Sequence, residues 1–184
     1  MKEPDQTFVA DIEAIRRWAR QSPMDGAVTE GYAGNAKVAC EVLNHALATE
    51  ILCVLRYKAH FYAAEGILAQ PAKEEFLQHA AEEQSHADRI AERIIQLGGV
   101  PNFSPDGLSG RAHSMYECGD TLRAMIEEDL VAERIVIDVY REMVSWFAPF
   151  DTTTRKMLED IQASEEEHAD DLAELLKRFP TMEK

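Results

Sequence analysis

Cysteine is scarce in this chain: Cys40, Cys53 and Cys118 are the only three in 184 residues. They are widely separated and form neither a CxxC pair nor a zinc-ligand spacing, which argues against a disulfide scaffold or a structural zinc site and reads as reduced thiols. Glycine and proline are also few, nine and seven, and they gather outside four long segments filled with Ala, Glu, Leu, Ile and Arg, so a strand-rich fold is not expected. Basic residues are outnumbered, 19 Lys and Arg against 34 Asp and Glu, for a net charge of -15. Such a field opposes DNA and anionic membranes and attracts cations. Up to position 22 the leader matches its few basic residues with as many acidic ones, which is poor material for a DNA-binding arm. The first thirty residues carry charges throughout and lack the apolar run of a signal peptide, and no apolar stretch reaches membrane-spanning length, so a cytoplasmic protein is expected.

What is present is helical periodicity. Residues 1–36 form an N-terminal extension, with a short amphipathic piece around Asp11 to Arg20 followed by loop punctuation at Ser22-Pro23 and Gly31 to Gly34. Residues 37–179 form one domain. Helix A is expected from Ala36 to Glu65, stopped by Gly66 and Pro71, and helix B from Ala72 to Leu97, closed by Gly98-Gly99 and Pro101. A connection from Pro101 to about Glu117 is long enough to run the length of a helix. Helix C is expected from Glu117 to Phe147, and helix D from a cap within Asp151 to Thr154 to just before Phe179-Pro180. Two short links and one long B–C link give an all-α, antiparallel four-helix bundle with a single crossover, the ferritin-like connectivity.

Each helix carries an apolar stripe broken by acid or imidazole. The stripes read Leu43, Leu47, Glu50, Val54, Tyr57, Phe61; Phe76, His79, Glu83, His86, Ile90; Leu122, Ile126, Asp129, Glu133, Val136, Tyr140, Met143; and Leu158, Ile161, Glu165, His168, Leu172, Leu175, Phe179. One unit therefore occurs twice, a lone glutamate followed by Glu-x-x-His: Glu50 with Glu83 and His86, then Glu133 with Glu165 and His168. Residues i and i+3 share a helix face, so an oxygen and a nitrogen reach the same ion. Four buried carboxylates without cations would take up protons or unfold the bundle, and two divalent cations remove that problem. The set matches the ligand inventory of dinuclear carboxylate bundles, and its donors suit Fe(II) or Mn(II). Lys or Arg partners could neutralise the acids instead only from the same stripes, and Arg93 is the nearest candidate.

These residues resemble the ferritin-like superfamily, and bacterioferritin most closely. Leu43-Asn44 through Glu50 to Tyr57 resembles its first helix, Glu83-Gln-Ser-His86-Ala-Asp-Arg through Leu97-Gly-Gly-Val-Pro-Asn its second, Asp129-Leu-Val-Ala-Glu133 its third and Glu165-Glu-Glu-His168 its fourth. The resemblance implies two iron ions per subunit, with manganese as the other candidate, held by Glu50, Glu83, His86, Glu133, Glu165 and His168. Glu83 and Glu165 would bridge. It implies oxidation of Fe(II) by O2 or H2O2 for iron storage and detoxification in a hollow homo-oligomeric shell. Gln84 stands where bacterioferritins carry the haem-ligating Met, so no haem is expected. The lack of a short fifth helix points to the bacterioferritin-related Dps-like group and a 12-subunit shell rather than 24. That group often carries a cysteine pair near the metals, which Cys53 and Cys118 do not match. The alternative is a dimetal enzyme of the rubrerythrin or manganese-catalase type that consumes peroxide, although the rubredoxin CxxC module is missing.

Around this set, Tyr57 is expected to act beside the metals and Tyr140 to fill the core. Asp129, one turn before Glu133, is placed to hydrogen-bond a ligand imidazole. His45, His60, His79 and His113 are expected to be packed or solvated, Cys53 to be a small core hydrophobe, and Glu82, Glu127, Glu128, Glu166 and Glu167, which project from other helix faces, to form a charged exterior or cavity wall.

Overall fold

A computed structural model describes residues 10–24, 26–66 and 69–179. The helices are α1 (Ile12–Gln21), α2 (Ala36–Ala63), α3 (Ala69–Gln96), α4 (Leu108–Arg111), α5 (Leu122–Phe147) and α6 (Thr152–Lys177), with no strand among the described residues. Helices α2, α3, α5 and α6 take the places expected for A to D. The pairs α2–α3 and α5–α6 pack most extensively, so the bundle is two antiparallel hairpins joined by the crossover.

Local chemistry sets the ends. Asn35 accepts from the Lys37 and Val38 amides at the start of α2, Thr121 from Ala124 at the start of α5, and Asp151 from Thr154 at the start of α6. Helix C thus begins five residues later than expected, because Thr121 supplies the cap that Glu117 does not. Pro71 does not stop helix A; it lies in the first turn of α3, where a missing N–H is harmless. At the end of α3, Gly98 takes a φ of 79° and lets the Gly98 and Gly99 amides return to the Ile95 and Ile94 carbonyls.

The stripes face inward as periodicity requires. Leu43, Leu47, Tyr57, Phe76, Ile90, Ile126, Val136, Tyr140, Leu158, Ile161, Leu172 and Leu175 all belong to the buried core. By length and composition alone α2 is apolar enough to cross a membrane, contrary to the sequence expectation, but most of its apolar window is buried inside the bundle. Its low charge content reflects a central core helix.

The crossover is pinned along α2. Asn44 bonds the Val100 carbonyl and the Asn102 amide, His45 Nδ1 meets the Arg111 carbonyl at 2.8 Å, and Thr49 pairs with His113. His45 and His113 are therefore fasteners for this segment. The short helix α4 within it was not evident from the sequence. Arg93, the competing cation considered for the stripes, is engaged elsewhere: it bonds Asp151 and Thr154 at the start of α6 and Gln96 at the end of its own helix.

Candidate metal centre

Midway along the bundle the four stripes bring Glu50, Glu83, His86, Glu133, Glu165 and His168 together, every one of them buried. Two overlapping groups result. Glu50, Glu83, His86 and Glu165 offer ligand atoms all within 4.8 Å of one another, and so do Glu83, Glu133, Glu165 and His168. Glu83 and Glu165 belong to both groups. Helices α2 and α5 each supply a single glutamate, and α3 and α6 each supply Glu-x-x-His.

Many of the converging atoms lack a hydrogen-bond partner: Glu50 Oε2, Glu83 Oε1, His86 Nδ1, Glu133 Oε2, both Glu165 carboxylate oxygens and His168 Nδ1. Orphaned polar atoms in a dry interior are costly. Oxygen and imidazole donors gathered this way fit a pair of divalent cations.

In the absence of cations, crowded acids in a dry interior favour proton uptake. Burial, then the charge of Glu83, raises Glu50 to about 8. The same two causes in the same order, with Glu165 adding to them, push Glu133 well above the carboxylate range. Burial alone would lower His86, but the carboxylates of Glu165, Glu50 and Glu83 gathered around it outweigh that and raise the imidazole to about 12. His168 is likewise depressed by burial yet carried to about 11 by Glu165 and Glu83. Burial works against ionisation of Glu165, but the two imidazoles hold it below its ordinary value.

The surroundings differ from the sequence expectation in three respects. Asp129 does not bond His86 or His168; it accepts from Arg56 Nε at 2.8 Å and faces His60 Nδ1 at 2.8 Å. Glu82, expected on the exterior, does what was assigned to Asp129: its Oε2 lies 2.6 Å from His168 Nε2. A carboxylate there keeps the Nε2 proton in place and leaves Nδ1 directed at Glu83 and Glu165. Tyr140 is more than core packing, because its hydroxyl donates to Glu50 while that of Tyr57 donates to Glu133. The phenols therefore cross over, each serving the glutamate of the other hairpin. Burial, reinforced by these carboxylates, raises both tyrosines and keeps their protons in place.

Sequence reasoning missed Arg56. It is almost fully buried, bonded to Asp129, the Met115 carbonyl and Cys53 Sγ. An arginine between Leu55 and Tyr57, in a helix with so few charges, was the available signal. Cys53 is buried as expected. His79 is buried too, stacked on His168 with ring centroids 4.1 Å apart, and burial lowers it to about 4.

A family model, the ferritin-like domain, matches residues 40–182. The chain belongs to the ferritin-like family. Among its relatives, the bacterioferritin of Rhodobacter capsulatus is 34% identical over 139 residues, which cover 74% of this chain and 81% of that one. A nutrient stress-induced DNA-binding protein of Synechococcus sp. is 30% identical over 144 residues, covering 74% and 80%. Among solved structures, the dodecameric thioferritin described as the bacterioferritin-related protein from Bacteroides fragilis superposes with a TM-score of 0.75 at 32% identity, covering 78% of this chain and 87% of that one.

Proposed function

We propose that this ferritin-family chain binds two Fe(II) ions at Glu50, Glu83, His86, Glu133, Glu165 and His168 and oxidises them with O2 or H2O2, as the cytoplasmic subunit of an iron-storing and detoxifying shell. The observation that carries this reading is the convergence of so many unpartnered buried ligand atoms in two groups that share Glu83 and Glu165. Iron is the substrate. Each ion gives up one electron, and the pair reduces H2O2 with two protons to two waters, or O2 with two protons to H2O2. Four carboxylates favour the more highly charged ferric state over the ferrous. Glu82 orients His168, while the Tyr57 and Tyr140 hydroxyls hold one oxygen of Glu133 and of Glu50, leaving the other oxygen of each free for an ion. Twelve copies of the 20.7 kDa chain, on the precedent of the Bacteroides relative, would form the shell. The net charge of -15 opposes DNA as its partner.

Aerobic or peroxide-driven Fe(II) oxidation, followed by ferric absorbance on protein sized by light scattering, tests the proposal. A closed shell of about 250 kDa that accumulates ferric product is expected. A small oligomer that turns over peroxide without ferric product would instead indicate the rubrerythrin or manganese-catalase type of activity.

Loading must displace protons. At pH 7 the raised values favour the protonated forms of Glu50, His86 and His168 in the ion-free protein, Glu133 is shifted in the same direction, and divalent cations displace these protons as they bind. We expect net release of protons on loading, and affinity that rises with pH because the empty form binds more protons than the loaded one. Calorimetry with Mn(II) in buffers of different ionisation enthalpy measures this, and a buffer-independent heat would contradict it. Glu82→Ala should weaken Mn(II) binding about 10- to 100-fold by freeing His168 to reorient, read from the same titration.

A further inference from the structure

Outside the pair, a further cluster among the described residues has the composition of a cation site. Glu75 and His79 lie one turn apart on α3, and Asp171 faces them from α6. Their ligand atoms lie within 4.8 Å of one another. His79 Nε2 is 3.8 Å from Glu75 Oε2 and 3.9 Å from Asp171 Oδ2. Both separations exceed hydrogen-bond length but fall below the sum of two ligand bonds, roughly 4.2 Å, that a single ion would span.

The second observation is the state of His79. The side chain is fully buried, and its Nε2 has no hydrogen-bond partner. Its Nδ1 lies 3.3 Å from the Tyr57 hydroxyl. That hydroxyl has one proton and donates it to Glu133, so its oxygen accepts from His79, and Nδ1 carries the imidazole proton. The lone pair on Nε2 is therefore aimed at two carboxylates, three acceptors facing one another with no donor between them. Two negative groups around a neutral imidazole nitrogen form a ligand set for a first-row divalent ion.

We propose that Glu75, His79 and Asp171 form a third divalent-cation site, open to solvent and separate from the buried pair. Glu75 and Asp171 are partly exposed, with side-chain exposures of 36% and 55%, so an ion reaches them directly and keeps water on its outer side. On the inner side the His79 ring lies flat against His168, with an interplanar angle of 22°, which places the site one imidazole thickness from the pair. Neither carboxylate belongs to the pair's ligand groups, so the two sites can be emptied independently.

The test is anomalous diffraction at the zinc edge from crystals of the assembled protein soaked in Zn(II), comparing wild type with the double variant Glu75→Gln, Asp171→Gln, together with calorimetric Zn(II) stoichiometry in solution. Both positions are partly exposed, so the variant should keep its fold and assembly. The expected result is a peak at His79 Nε2 in the wild type, absent from the variant, with a stoichiometry lower by one Zn(II) per chain. A wild-type crystal with no peak there overturns the proposal, and so does a peak that persists in the variant. The outcome at the buried pair is scored apart: an empty pair refutes the proposed function and leaves the third site to its own peak.

Discussion

Glu165→Gln leaves a folded bundle in which Fe(II) oxidation is at least about 100-fold slower than in the wild type. Glu165 is one of two carboxylates shared by both ligand groups, so its loss affects both ions at once. It also faces both imidazoles, His86 Nδ1 at 2.9 Å and His168 Nδ1 at 3.3 Å. Glutamine has nearly the same shape but places an amide donor where a cation would sit and removes one negative charge. The fold survives because the position stays filled and the ion-free site already shifts Glu50 and Glu133 toward their neutral forms, both raised above the usual carboxylate range. Stopped-flow absorbance of the ferric product, with circular dichroism as the fold control, gives the answer. Wild-type rates in this variant would place the chemistry elsewhere.

Asp129→Ala destabilises the bundle by about 3–5 kcal/mol, because it strands a buried guanidinium. Arg56 and Asp129 are both essentially inaccessible and bonded at 2.8 Å, and His60 depends on the same carboxylate. The Met115 carbonyl and Cys53 Sγ remain as partners for Arg56, but neither supplies negative charge. Replacing both members with apolar residues, Arg56→Met with Asp129→Leu, should recover most of the loss, since no charge is then left uncompensated. Urea unfolding at fixed protein concentration measures both variants. If the single substitution costs no more than the double, the ion pair is not what holds α2 and α5 in register here.

Much of the architecture could be read from period and punctuation. The stripes through Glu50, Glu83, Glu133 and Glu165 point inward because 3.6-residue periodicity assigns each position a face, and Asn35, Asp151 and Gly98 mark helix ends through side-chain caps and a left-handed turn. Periodicity gives a face but not the partner across it. Tyr57 and Tyr140 were placed correctly on their own helices, yet each bonds a glutamate of the other hairpin. Asp129 is on the right stripe, but the group opposite it is Arg56 rather than a ligand imidazole. Glu82 is expected on the exterior or cavity wall because it projects from a different face of its helix than Glu83. Its partner, His168, is 86 residues away on α6, and only the packing of α3 against α6 brings the two together. The crossover was legible in length, but its attachment to Asn44, His45 and Thr49 depends on polar pairs with no periodic signature.

The central claim is that the buried acids exist to hold two cations. Crystals soaked anaerobically in Fe(II) and measured at the iron edge test it most directly. We expect two anomalous peaks per chain, roughly 3.5–4 Å apart, one beside Glu50 and His86, the other beside Glu133 and His168, with Glu83 and Glu165 between them. A site without peaks after the soak would contradict the account.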